Sequence, residues 1–170
     1  MCFIKLHVKN MKKHQYKIDL NWTGNQGVGT VKYNAYNRNH TITGLGKEQE
    51  LLLSSDPSFL GDKRRYNPEE LLLTSLASCH MLWYLHLCAT NGVVVIDYVD
   101  NPIGEMIENS NGSGQFSEVI LCPKVKIQNE HNMALATELH QQANEMCFIA
   151  RSCNFPVRHS VEILVSKQVE

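Results

Sequence analysis

Residues 67–92 read N-P-E-E-L-L-L-T-S-L-A-S-C-H-M-L-W-Y-L-H-L-C-A-T-N-G, and this stretch decides the fold. Both ends of one long helix are written into it. Asn67 is suited to an N-cap, Pro68 to the first helical position, and Glu70 falls three residues after the cap, while Asn91-Gly92 supplies the stop. At 1.5 Å per residue such a helix is roughly 35 Å long, about the diameter of a small domain. Between Leu71 and Ala89 the polar residues are Thr74, Ser75, Ser78, His80, Tyr84 and His86, so no face carries a broad charged stripe. A helix that is apolar nearly all round is buried, and other elements are expected to wrap it. Its apolar residues never run unbroken for the ~18 positions of a membrane span, so no membrane is expected. Cys79 lies near its middle and is expected in the interior of the domain.

Strands are expected on either side of this helix. Tyr16, Ile18, Leu20 and Trp22 alternate with polar residues, and after the turn Thr23–Gly27 the run V-G-T-V-K-Y-N-A-Y places Val31, Tyr33 and Ala35 on one face. Residues 15–36 therefore read as a hairpin, followed by two short strands in T-I-T-G and E-L-L-L-S. Residues 54–66, with Pro57, Gly61 and the charged run Asp62-Lys63-Arg64-Arg65, read as a loop leading to the helix. Beyond Gly92, V-V-V-I-D-Y-V is a β-branched run expected to form a buried strand. Two alternating segments flank the turn N-S-N-G-S-G. Residues 131–150 read as a second helix, with a stripe of Leu135, Leu139, Ala143, Met146 and Cys147. V-E-I-L-V closes the chain as a strand. Strands grouped before and between helices, without strict βα alternation, give an α+β class: an antiparallel sheet covering a long buried central helix.

Composition narrows the function. At 170 residues the default is a single domain, 1–170, able to bury a core without disulfides or structural metal. Sixteen basic and 17 acidic residues leave a net charge of −1, which gives no electrostatic case for nucleic acid or an anionic membrane. The N-terminus M-C-F-I-K-L-H-V-K-N lacks the apolar core of a signal peptide, so a cytoplasmic chain is expected. Met11 is a second candidate start, with residues 1–10 then an extension, and residues 1–14 are read as a candidate N-terminal extension of the domain. Six cysteines (Cys2, Cys79, Cys88, Cys122, Cys147 and Cys153) then read as reduced thiols, and a functional pair among them as redox-active or catalytic.

Cys79 and Cys147 fall on two predicted helices, and helices that share a core can bring such residues within disulfide reach, with Cα atoms under about 7 Å apart. The competing view is that both are buried small hydrophobes, the usual role of free cysteine. Zinc is disfavoured: there is no C-x-x-C, and adjacent Cys79 and His80 point roughly 100° apart on a helix. His86 shares the face of Cys79, but two turns put roughly 10 Å between them, so a core histidine bonded to the backbone is the simpler reading. No metal or cofactor is expected.

The segment N-P-E-E-L-L-L-T-S-L-A-S-C-H, with a cysteine ten residues after Glu69, resembles the signature of the OsmC/Ohr family of thiol-dependent peroxidases. A-Y-N-R-N-H, D-P-S-F-L-G-D and H-Q-Q-A-N-E-M-C-F-I-A follow the family's order, so the resemblance spans most of residues 15–166. It implies an intertwined homodimer that reduces organic alkyl or acyl hydroperoxides by a two-cysteine mechanism, with active sites at the subunit interface and a dithiol reductant of lipoyl type. By position, Cys79 matches the peroxidatic cysteine and Cys147 the resolving one. Arg38 matches the arginine that activates the thiolate, and Glu69 the glutamate that pairs with it. M-C-F-I-A-R-S replaces the C-P-Y-S type of motif, and Asn39 stands where an aspartate follows the arginine, which places the chain in an OsmC-like branch.

Elementary chemistry fits these roles. Desolvation keeps a buried thiol protonated, so attack on an O–O bond needs a cation beside the sulfur, and arginine stays charged when buried. The product sulfenic acid condenses with a second thiol. Leu76, Leu82 and Trp83 are expected to surround the site and to suit an organic hydroperoxide. Glu69 lies roughly 15 Å from Cys79 along the helix axis, so it meets the same arginine only by a long reach or from the partner subunit. Two other readings remain at this level: a cysteine-dependent acyl-transfer enzyme, and a non-catalytic dimeric binding module with structural cysteines.

Overall fold

Helix α1 spans Pro68–Thr90 in a computed structural model that describes residues 12–166. Cys2 and the alternative start at Met11 lie outside the described residues. The helix ends as its sequence dictates: Gly92 adopts φ 73°, and the Val93 N–H donates to the Cys88 carbonyl at 2.9 Å, closing a Schellman turn. Cys88 and Val93 then pack in the same apolar cluster.

The chain divides into two compact units, the first running to Pro68 and the second beginning at Glu69. The first holds a three-stranded antiparallel sheet of β1 (Asp19–Trp22), β2 (His40–Thr43) and β3 (Leu51–Leu53). The hairpin expected over residues 15–36 is not formed in that way. Strand β1 pairs with β2, and residues 24–37 form a long closed loop between them. Asn25 Oδ1 accepts from the N–H groups of Gly27 and Gly29, both at positive φ, which turns the chain before any second strand can start. The Asn37 N–H donates to the Gly24 carbonyl at 2.8 Å and seals the loop.

The second unit holds two three-stranded sheets and a second helix. Strands β4 (Val95–Asp100), β7 (Pro123–Ile127) and β9 (Glu162–Val165) form one sheet, and β5 (Ile103–Glu108), β6 (Gly114–Leu121) and β8 (Val157–His159) the other. The pairs β4–β7 and β5–β6 are antiparallel, whereas β6–β8 and β7–β9 are parallel, so the sheets are mixed. The single strand expected at the C-terminus is thus two, one for each sheet. Strand β4 lies at a sheet edge with Ile96 and Val99 exposed, so its β-branched run is not the buried strand the sequence suggested.

The α+β class and the central helix match the expectation from sequence. Burial of α1 within the chain follows one stripe, Leu76, His80, Tyr84 and Cys88, each four residues from the last. Leu76 packs with Val119 and Leu121 of β6, and Tyr84 and Cys88 pack with Val125 and Ile127 of β7 and with Ala136, Leu139 and Ala143 of α2 (Met133–Met146). The helix is long and apolar enough to cross a bilayer, yet this stripe seats it as a core element. The sides of α1 away from it are half-buried or exposed, and Leu82 is 61% exposed.

Two histidines occupy the core between the helices, with half-buried His159 of β8 beside them. His80 and His140 are fully buried, with His80 Nε2 3.0 Å from His140 Nδ1. His140 stacks on Tyr84 at 3.7 Å between ring centroids, and His159 of β8 lies 5.7 Å from His80. Burial disfavours the imidazolium form and lowers His80 from 6.5 to about 4 and His140 to about 3, with neighbouring histidines adding to the effect.

Two predictions follow from this packing. Gly92→Ala forces a side chain into the left-handed region and should cost roughly 1–2 kcal/mol, read as a lower thermal midpoint with unchanged circular dichroism. For the histidines, the folded values lie below the unfolded one, so stability is fully present above about pH 6.5 and is lost as pH falls toward about 4. Unfolding free energies from urea titrations at pH 7 and pH 5 should differ, by up to about 1.4 kcal/mol per histidine for each pH unit below about 6.5. A His80→Gln/His140→Asn variant should flatten that slope.

Candidate active site

Cys79 is half-buried on α1, on a face adjacent to the buried stripe, and is therefore less enclosed than its apolar helix implied. Cys147 is fully buried and is the residue at which α2 ends, its N–H donating to the Asn144 carbonyl. The helix turns off there and the chain enters a short 3-10 helix, Ala150–Ser152. This reversal points the Ala150 N–H at the Cys147 sulfur, 3.4 Å away.

The fold brings the two thiols together. Cys79 is near enough to Cys147 for the two thiols to interact electrostatically. Desolvation, followed by the Cys79 contact, pushes the Cys147 thiol up to about 11, although the Ala150 and Ile149 N–H groups oppose this. Cys147 therefore holds its proton and can share it with the more exposed sulfur. Cys88 is also held protonated by burial, and Cys153 donates to the Ile149 carbonyl at 3.4 Å.

Beside Cys79 along α1, Leu82, Trp83 and His86 line a predominantly apolar cavity of about 280 Å³. Trp83 makes edge contacts with His86 and with Phe148, the residue after Cys147. His86 is exposed, which corrects the expectation of a core histidine. Leu76, expected to wall the site, is instead in the core.

Arg38 lies in the first unit, immediately before β2. Its guanidinium sits 4.3 Å from the ring centroids of both Tyr33 and Tyr36 and donates to their carbonyls at 2.5 and 2.6 Å. It borders a polar cavity of about 290 Å³ lined by Asn37, Asn39, Leu60, Gly61, Asp62 and Arg64. In that lining the Arg64 guanidinium donates to both Asp62 oxygens and holds the carboxyl near 2. Glu69, in the first turn of α1, has one carboxylate oxygen buried without a hydrogen-bond partner among the described residues. Such an orphaned acceptor is costly unless a cation or donor reaches it.

His80, His140 and Tyr84, which lie in the core near Cys79 and Cys147, are not among the site residues expected from sequence. The signal was present, because His80 recurs with Leu76, Tyr84 and Cys88 at a spacing of four.

The chain is similar to an uncharacterized protein of Bacillus subtilis, YmaD, with 24% identity over 91% of this chain and 97% of the relative. Among solved structures it resembles an OsmC-like protein of unknown function from Vibrio cholerae, with a TM-score of 0.78 and 28% identity, covering 88% of this chain and 99% of the other. An organic hydroperoxide resistance protein from Elizabethkingia anophelis shares the fold, with a TM-score of 0.62 and 14% identity over 91% of this chain and 100% of that one. Residues 61–162, which carry both α1 and Cys147, match the OsmC-like protein family, and the chain belongs to that family.

Proposed function

We propose that this protein is a thiol-dependent peroxidase that reduces organic hydroperoxides through Cys79 and Cys147. The observation that carries the reading is the proximity of these two thiols, one from α1 and one from the end of α2, close enough to interact electrostatically. In the first step the Cys79 thiolate attacks the distal peroxide oxygen. The O–O bond breaks, sulfur is oxidised to sulfenic acid, and the alkoxide leaves and takes up a proton as the alcohol. In the second step the Cys147 thiol attacks that sulfur, its proton leaves with the hydroxyl as water, and a Cys79–Cys147 disulfide forms. A dithiol of lipoyl type then reduces the disulfide and returns both thiols.

The different burial of the two thiols supports this division of roles. The half-buried sulfur is the one a substrate can reach, and the buried, protonated Cys147 acts after it. The apolar cavity of Leu82 and Trp83 suits an alkyl or acyl hydroperoxide better than hydrogen peroxide. Arg38 is assigned as the cation that favours the Cys79 thiolate, and Glu69, with its orphaned oxygen, as the carboxylate that holds that cation. Apolar side chains left exposed, among them Leu52, Leu82, Ile96 and Val99, are consistent with a homodimer in which a second chain completes the site. The chain is read as a single functional domain and as cytoplasmic, where thiols stay reduced between turnovers.

One equivalent of an alkyl hydroperoxide should remove two free thiols per chain, and peptide mapping should locate them at Cys79 and Cys147. Oxidation of Cys88, Cys122 or Cys153 instead would sink the assignment. An acyl-transfer enzyme would form a thioester, and a binding module would leave the thiols inert. Cys79→Ser should abolish turnover, whereas Cys147→Ser should complete one reduction and stop as a sulfenic acid. Wild-type activity of Cys147→Ser with a dithiol reductant would remove Cys147 from the resolving role. Arg38→Met should keep the fold and slow peroxide attack, about tenfold for each 1.4 kcal/mol of lost ion pairing. An unchanged rate constant in stopped flow would reject that role.

A further inference from the structure

The two helices that carry the thiols are joined by a buried polar contact, His80 Nε2 to His140 Nδ1 at 3.0 Å. His80 is the residue after Cys79, and His140 lies seven residues, two helical turns on the same face, before Cys147. Both imidazoles are fully buried, His140 is clamped on its face by Tyr84, and His159 stands beside the pair.

Stability alone does not explain this pair. Two neutral imidazoles share one N–H, so whichever ring donates, one outer nitrogen is a bare acceptor and the other an N–H. These outer nitrogens, His80 Nδ1 and His140 Nε2, are both buried with no hydrogen-bond partner among the described residues. Apolar residues of similar volume would fill the same space and leave no polar atom unmatched. What they would not supply is a directional bond of fixed length between α1 and α2. Apolar contacts let two helices slide by an ångström or more at little cost, whereas a hydrogen bond weakens steeply when stretched or bent. A disulfide likewise demands narrow geometry.

We infer that His80 and His140 are a positioning pair that pins α1 to α2 and thereby sets the effective concentration of Cys147 toward Cys79. The inference rests on the reading that these two thiols form a disulfide. It does not require a peroxide to be the oxidant.

The test is a redox equilibrium on the full chain. In a buffer of reduced and oxidised glutathione, glutathione disulfide takes two electrons from Cys79 and Cys147. The protein S–S bond forms, and two molecules of glutathione are released with the two thiol protons. The Cys79–Cys147 disulfide is quantified by alkylation and peptide mapping. His80→Gln keeps an amide atom at the reach of Nε2, while His80→Asn stops short of it. His80→Asn should lower the equilibrium constant for disulfide formation at least tenfold, equivalent to about 30 mV. His80→Gln should stay within threefold of wild type.

Equal constants in all three proteins would overturn the inference, as would equal losses in the two variants, which would mean that packing alone matters. If His80→Asn does not fold, the comparison moves to the other end of the bond. There His140→Asn keeps the reach of Nδ1 and His140→Leu removes the bond while keeping bulk, with the same outcomes deciding. A wild-type chain that forms the disulfide with glutathione but fails to consume hydroperoxide would overturn the peroxidase reading and leave the pin standing. A wild-type chain that forms no such disulfide would overturn the pin.

Discussion

Everything in the second unit depends on one narrow stripe of α1. Leu76, His80, Tyr84 and Cys88 are the residues this helix buries within the chain, and two separate apolar clusters meet along them. One cluster binds the helix to β6, the other to β7 and α2, so α1 is seated against both sheets through fully buried side chains. Cys79 stands one residue before His80, about 100° round the helix, at the margin of the packed face. Packing therefore fixes the backbone beneath the thiol while leaving the sulfur half accessible. A thiol one position later would be sealed in the core, and one on the opposite side would have no fixed neighbour.

The two cysteines differ in kind because the fold puts them in different media. Cys147 loses almost all contact with water where α2 turns off, and its proton is retained against two backbone N–H groups that would favour its loss. A protonated neighbour beside a more accessible sulfur is a hydrogen-bond donor to it. The same burial that keeps Cys147 from solvent thus leaves it a proton donor toward its neighbour.

The long helix was legible in the sequence because both its ends carry chemical instructions: a proline at the first position, and a glycine where a left-handed residue is required. Cys79 and Cys147 stand out in the sequence as thiols on two predicted helices, and their roles come from resemblance to the family. What failed were inferences from alternation and composition alone. Residues 28–36 alternate as a strand would, but Asn25 and two glycines at positive φ bend the chain into a loop first. The run from Val93 to Val99 is β-branched enough for a buried strand, yet its place at a sheet edge leaves half of it exposed. The histidine pair was hidden for another reason: its two members lie 60 residues apart, and nothing local links one helix's register to the other's. Arg38 and Glu69 were named by resemblance to the family, since no spacing relates them.

Near the end of the chain, β8 and β9 are separated by only two residues, yet each joins a different sheet as the parallel partner of β6 or β7. Lys124 and Glu162, bridged at 2.9 Å, mark one of these pairings. Parallel partners far apart in sequence close large loops, which is the slow and entropically costly part of assembly. Neither sheet of the second unit can be completed until residues 157–165 are available. On the ribosome this unit must wait for residues 157–165 to emerge. Until then the apolar α1 stands without its β-sheet cover, the state in which an incomplete chain is most prone to aggregation.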